Sequence, residues 1–143
     1  MKQRIVIADD DLTMRSLVSV RLGLAGFDVL SAENGADAMA LIWNKQPCAV
    51  LLDVRMPGGG LETLEAIRAD PATRNLPVMM LTGERDPSTV VSAMGSGAND
   101  YMVKPFHPDQ LLERVNRLIG APAQKKEAAA PARPAPSRSV WEL

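Results

Sequence analysis

The side chains of this sequence best equipped for chemistry fall at the ends of short apolar runs. Asp9, Asp10 and Asp11 follow Arg4 to Ala8, Asp53 closes Ala49 to Asp53, Thr82 and Gly83 follow Pro77 to Leu81, and Lys104-Pro105 follows Asp100 to Val103. If the fold gathers them, several carboxylates share one crevice, where their mutual repulsion calls for a cation. Hard oxygen ligands of this kind favour Mg2+ with several retained waters. One carboxylate beside a metal ion, a hydroxyl and a lysine can accept a phosphoryl group. Metal and lysine neutralise the equatorial oxygens while the carboxylate attacks in line, and the product is an acyl phosphate. Each piece alone has a plainer use, since Asp at a strand end commonly caps a helix and Lys-Pro commonly marks a loop.

The elements that must position these groups are legible around them. Arg4 to Ala8, Phe27 to Ser31, Ala49 to Asp53, Pro77 to Leu81 and Asp100 to Val103 read as strands. Between them Leu17, Val20, Leu24, then Ala36, Met39, Ala40, Trp43, then Leu61, Leu64, Ile67, and finally Leu111, Val115, Leu118 recur at helical spacing. Near-continuous apolar strands joined by crossover helices predict an α/β, doubly wound five-stranded parallel sheet with helices on both faces. Ligands of such sheets sit at the carboxyl ends of the strands, which is where the reactive side chains fall. At 143 residues and 46% hydrophobic, the chain suits one core and excludes a multidomain enzyme. No apolar run approaches the roughly 20 residues of a membrane span, and no signal-type segment follows Met1, so a cytoplasmic protein without membrane insertion is expected. The single cysteine, Cys48, excludes a disulfide framework and reads as an inert, buried thiol.

Taken together and in order, Asp9-Asp10, Asp53 with Met56-Pro57, Thr82-Gly83 and Lys104-Pro105-Phe106 make residues 2 to 120 resemble the receiver domain of two-component response regulators, the CheY-like fold. The resemblance implies that Asp53 is the phosphoacceptor. It implies further that Asp10, Asp53 and the carbonyl of Arg55 hold Mg2+ directly, with Asp9 acting through water. Lys104 and Thr82 would bind the phosphoryl oxygens, and Tyr101 would turn inward as Thr82 moves, repacking an output face near the last strand. A histidine kinase or phosphotransfer protein is the implied donor, and slow autodephosphorylation the only other chemistry. The sequence departs from the pattern at Gly58-Gly59-Gly60, where the turn before the third helix is one residue short and is expected to be loose, and at Arg55, whose cation sits two residues past the acceptor. A rival reading takes Asp9-Asp10-Asp11-Leu12-Thr13 as the DxDxT motif of haloacid-dehalogenase-type phosphatases, with Asp9 as nucleophile and Asp11 as general acid. Under the receiver reading Asp11 is a helix N-cap.

A compositional break follows Gly120. Residues 1–120 carry 12 basic and 15 acidic side chains, and residues 121–143 carry 4 and 2 with Ala or Pro at 11 of 23 positions. The first segment is the receiver and the second a disordered tail. No helix-turn-helix or zinc finger accompanies them, so the output is expected to be a binding event that does not involve DNA. Within the tail Arg133, Ser137, Arg138, Trp141 and Glu142 carry recognition chemistry suited to guanine nucleotides. Arginine reads the O6 and N7 edge, indole stacks, and a carboxylate accepts from guanine N1 and N2. This arrangement resembles the arginine-rich extension of CheY-like cyclic di-GMP effectors, the Cle group, and so implies cyclic di-GMP as ligand, action on the flagellar switch and recruitment to the flagellated pole. The alternative is a purely phosphorylation-driven regulator whose tail docks on a protein partner through Trp141 and Leu143.

Overall fold

The computed structural model describes residues 2–83 and 87–128, and the tail positions from Ala129 onward, Arg133, Ser137, Arg138, Trp141 and Glu142 among them, lie outside them. Strands and helices alternate without exception: β1 (Arg4–Ala8), α1 (Leu12–Leu24), β2 (Asp28–Ala32), α2 (Gly35–Lys45), β3 (Ala49–Asp53), α3 (Gly60–Ala69), β4 (Val78–Thr82), α4 (Pro87–Gly95), β5 (Asp100–Val103) and α5 (Pro108–Ala128). The five strands form one parallel sheet in the order β2-β1-β3-β4-β5. Order reverses between β1 and β3, which makes the carboxyl ends of those two strands the expected crevice.

Two strands begin one residue later than the sequence predicts. Pro77 lacks an N–H and contributes only its carbonyl, which accepts from Val50 N at 2.9 Å, so the regular ladder of β4 starts at Val78. Phe27 is spent closing the end of α1, its N–H bonding to the Leu22 carbonyl.

The two-residue period of the strands splits the core into two layers. Val6, Ala8, Val50, Leu52, Val78 and Met80 pack with Ala38, Ile42, Leu64 and Ile67 of α2 and α3. Ile5, Ile7, Leu51, Met79 and Leu81 pack on the other face with Val18, Leu22, Leu111, Val115 and Leu118 of α1 and α5. The apolar spacings read in α3 and α5 are therefore core positions. Those in α1 are not, and of those in α2 only Met39 packs against the core. Leu17, Val20 and Leu24 are 40, 61 and 79% exposed, while Met14, Val18 and Leu22 face α5 and the sheet. Helix α1 carries two apolar stripes, and the i, i+4 set is the buried one. In α2 the buried residues are Ala38 and Ile42, and Trp43 stands half out in solvent.

Asp11 caps α1, its carboxylate accepting from Thr13 N and Met14 N. Helix α5 runs through Gly120, the expected boundary, to Ala128. Cys48 is partly buried, its Sγ 3.2 Å from the Arg4 carbonyl, and burial raises its thiol pKa.

Candidate functional site

Asp9 follows β1, Asp53 ends β3, and Lys104 follows β5, so three parallel strands deliver these side chains to the same rim of the sheet. Carboxylate oxygens of Asp9, Asp10 and Asp53 lie within 4.8 Å of one another. Asp9 and Asp53 are buried and Asp10 is exposed. The Lys104 ammonium reaches across the crevice, 2.7 Å from Asp9 Oδ2 and 3.3 Å from Asp53 Oδ1. The other oxygen of Asp9, Oδ1, accepts from Asp11 N at 3.0 Å, and its carbonyl accepts from Arg15 Nη1 at 2.8 Å. Asp9 is thus held at three points, and Asp53 has one cation and an unsaturated carboxylate.

The electrostatics follow from this packing. Burial raises the Asp53 pKa and the neighbouring Asp9 charge raises it further, while Lys104 and the Arg55 backbone N–H pull it back; the balance lies at about 6, against an ordinary 3.8. Burial pulls the Lys104 ammonium down, but its hydrogen bond to Asp9 and the charges of Asp53 and Asp9 outweigh that and raise it. A group whose folded pKa exceeds its unfolded one stabilises the fold at low pH, and that contribution is lost as pH rises through the folded value. Asp53→Asn stays neutral throughout. In chelator, its melting temperature relative to wild type therefore climbs between pH about 4, where an unfolded Asp titrates, and about 6, then levels off. A difference independent of pH in thermal melts contradicts this environment for Asp53.

Two buried carboxylates and one exposed one on a rigid rim, with Lys104 beside them, fit a hard divalent ion such as Mg2+. Such an ion supplies charge neutralisation of a transferring phosphoryl group. Arg55 follows β3 and lines a cavity of about 620 Å³ together with Asp10, Val54, Met56 and Pro57, so this space borders the Asp10 side of the carboxylate cluster.

The glycine turn after β3 is not loose. Gly59 N bonds to the Met56 carbonyl at 2.8 Å, Gly60 N to the Val54 carbonyl at 3.0 Å, and Gly35 N at the start of α2 to the Pro57 carbonyl at 3.0 Å. Gly58 and Gly59 take φ of 88° and 77°, which side chains other than glycine rarely adopt. Losing one residue tightens this turn, because three glycines let the backbone fold back on itself. Gly60, which the sequence marks only as part of a loose turn, has a specific role: a Cβ there would lie 2.1 Å from the Asp53 carbonyl oxygen. Arg15, which fixes the Asp9 carbonyl, is not singled out by the sequence, because a lone arginine in a helix carries no motif.

Thr82 is buried at the end of β4, and its carbonyl accepts from Lys104 N at 2.7 Å, tying the hydroxyl-bearing strand to the lysine-bearing one. Tyr101 is partly buried on β5 against the layer formed with α2 and α3. Its carbonyl accepts from Arg114 Nη1 at 2.7 Å. Of the expected receiver-site residues, Asp9, Asp10, Asp53 and Lys104 meet directly, Thr82 borders them, and Tyr101 lies further down the same edge. Asp11 points its carboxylate into the first turn of α1, which removes the general acid that the DxDxT reading requires.

The response regulator receiver domain family model matches residues 5–116. Among curated relatives, the phosphate regulon transcriptional regulatory protein PhoB of Pseudomonas aeruginosa is 34% identical over 116 residues, 80% of this chain and 51% of that protein. The DNA-binding response regulator MtrA of Mycobacterium tuberculosis is 37% identical over 120 residues, 83% of this chain and 51% of that protein. The chain spans about half the length of these relatives. Among solved structures, the chemotaxis response regulator CheY4 of Vibrio cholerae superposes with a TM-score of 0.78 at 31% identity, covering 82% of this chain and 99% of that one. A CheY-like receiver domain protein from Methanospirillum hungatei gives 0.80 at 28% identity, covering 90% and 100%. No helix among the described residues is long and apolar enough to cross a membrane.

Proposed function

The chain belongs to the response regulator receiver domain family, a signalling module that accepts a phosphoryl group on an aspartate, and from that premise we propose that Asp53 is the acceptor in this chain. The observation that carries the proposal is the Asp53 carboxylate itself: buried at a strand end, in contact with one lysine, and close to two further carboxylates that with it would hold Mg2+. Asp53 attacks phosphorus in line as the donor's P–N bond breaks and its histidine imidazole leaves, Lys104 balances charge on the phosphoryl oxygens, and the Thr82 hydroxyl binds one of them. The three strand ends preorganise these groups, so little reorganisation accompanies transfer.

Receiver domains interact with histidine kinases or phosphotransfer proteins, and the exposed stripe on α1 supports a docking place for such a donor. Leu12, Val20 and Leu24 are exposed and start immediately after the Asp9-Asp10-Asp11 cluster, so an apolar helix seated on them holds its phosphohistidine above the crevice. Val20→Glu places a charge at the centre of that stripe without touching the pocket. Transfer from a phosphohistidine protein falls by about tenfold, as for loss of a central interface contact, while labelling by a small acyl phosphate is unchanged. Equal loss with both donors contradicts the docking assignment.

The second input is cyclic di-GMP, taken up by Arg133, Ser137, Arg138, Trp141 and Glu142, with a flagellar switch or other protein as the target. Support comes from the guanine-recognition chemistry of these side chains and from structural likeness to a chemotaxis regulator at 31% identity. Transcriptional regulation, which the name of PhoB states, and DNA binding, which the name of MtrA states, belong to those longer proteins and are not part of the proposal. Calorimetric titration of cyclic di-GMP into the full chain and into Arg133→Ala/Arg138→Ala tests it. Binding by the full chain that is lost in the double variant is expected; no heat with the full chain contradicts nucleotide input and leaves phosphorylation as the only one.

A further inference from the structure

The three carboxylates of the crevice are held very differently. Asp9 has both side-chain oxygens bonded, to Asp11 N and to Lys104 Nζ, and Asp53 has Lys104. Asp10 is exposed, and among the described residues no hydrogen bond or ion pair reaches its carboxylate. The place from which Asp10 offers that group is therefore decided by its backbone, which lies between β1 and α1 and inside neither.

That backbone has one lateral support. The peptide unit joining Asp9 to Asp10 is a rigid plane, so holding its oxygen holds the Asp10 Cα. The plane before it is fixed by the sheet, the Asp9 N–H donating to the Ala32 carbonyl at 3.0 Å. The plane itself is fixed by Arg15, whose Nη1 donates to the Asp9 carbonyl at 2.8 Å. Arg15 stands one turn into α1, and helical side chains lean toward the N-terminus of their helix, which returns this guanidinium to the rim of the sheet. Its side chain is only 12% exposed. The acidic group in reach of it, Glu33 Oε2, is 4.0 Å from Nη2 on a side chain 72% exposed, too distant and too wet to be what a covered guanidinium is for.

We propose that Arg15 is a positioning residue for the divalent-ion site: by fixing the Asp9–Asp10 peptide it aims the Asp10 carboxylate at the ion shared with Asp9 and Asp53. This rests on the reading of those three carboxylates as a Mg2+ site and adds a residue outside the ligand set that determines its strength. Two roles for Arg15 have opposite signs. A guanidinium acting through its charge repels a dication, whereas one acting through placement favours it, and groups that orient metal ligands typically contribute 10- to 100-fold in affinity.

Mn2+ is the probe, because the electron paramagnetic resonance signal of the aqueous ion falls as it binds. It is titrated into the full-length wild type, Arg15→Met, Arg15→Gln and Glu33→Gln, with thermal melts of each in chelator to show that it is folded. Arg15→Met keeps most of the apolar stem and Arg15→Gln a short polar one, and neither reaches the Asp9 carbonyl with a guanidinium. Each is expected to raise the Mn2+ dissociation constant about tenfold or more, and either suffices if the other does not fold. Glu33→Gln leaves the bond to Asp9 in place and is expected to bind like the wild type. A role confined to the fold lowers the melting temperature and leaves the affinity of the folded protein unchanged, which overturns the proposal. Tighter Mn2+ binding by the Arg15 variants overturns it in favour of charge repulsion, and an equal loss in Glu33→Gln overturns it in favour of the ion pair. Failure of the wild type to bind Mn2+, or binding indifferent to Asp10→Asn, removes the metal site itself and the inference with it.

Discussion

Asp53→Asn eliminates phosphoryl incorporation while leaving the fold in place. An amide nitrogen or oxygen at this position forms no acyl phosphate, and the other two carboxylates are poor substitutes. Asp9 has both oxygens committed, one to Asp11 N and one to Lys104, and Asp10 is an exposed side chain without the lysine contact. The fold tolerates the change because asparagine is isosteric and removes a charge from a crowded acidic pocket, where burial and Asp9 already push the Asp53 pKa up to about 6. Incubation with a small labelled acyl phosphate and Mg2+ therefore marks the wild type and leaves the variant at background. Label retained in the variant refutes Asp53 as acceptor.

Gly60→Ala produces the largest structural effect expected of any one-carbon addition in this chain. The new Cβ meets the Asp53 carbonyl oxygen at 2.1 Å and Val54 Cα at 2.8 Å, both main-chain atoms that move only if the strand end moves. Overpacking against backbone puts the cost at the upper end of the usual range, about 3 kcal/mol or more, and the melting temperature falls by about 10 °C or more for a domain of this size. The displaced atoms belong to the proposed acceptor Asp53 and to Val54 after it, so phosphoryl incorporation drops even at temperatures where the variant is folded. Gly23→Ala is the control: nothing lies within 4 Å of its added Cβ, and alanine favours the helix. A Gly60 variant that melts and labels like wild type contradicts the close approach of α3 to the end of β3.

The chemistry of the crevice was legible because strand ends are the positions a parallel sheet brings together, and Asp9, Asp10, Asp53 and Lys104 announce themselves by type. Their convergence follows from the register that pairs Ala8 with Leu52 and Asp53 with Leu81. Helical spacing identified α1 but not its inward face, because the stripe Met14, Val18, Leu22 and the stripe Leu17, Val20, Leu24 are equally periodic. Only the packing of α5 alongside decides which is buried. The turn at Gly58-Gly59-Gly60 misled in the opposite direction. Glycines read as looseness, yet two of them supply positive φ and the third clears the Asp53 carbonyl, so the same composition makes a tight, hydrogen-bonded strap. Arg15 and Gly60 support the site through a carbonyl and through an absent methyl, and neither interaction has a residue-type signature.

The central claim, that the phosphoryl group forms an acyl phosphate on one particular aspartate, is tested most directly by locating that bond. Borohydride cleaves an aspartyl phosphate reductively and leaves homoserine in place of the aspartate, with hydride as the reductant and phosphate as the leaving group. Peptide mass spectrometry of the phosphorylated, borohydride-treated full chain then reports the position. Homoserine at residue 53 alone is the predicted result. Homoserine at residue 9, with Asp53 intact, contradicts the account and points to the nucleophile of the phosphatase reading instead.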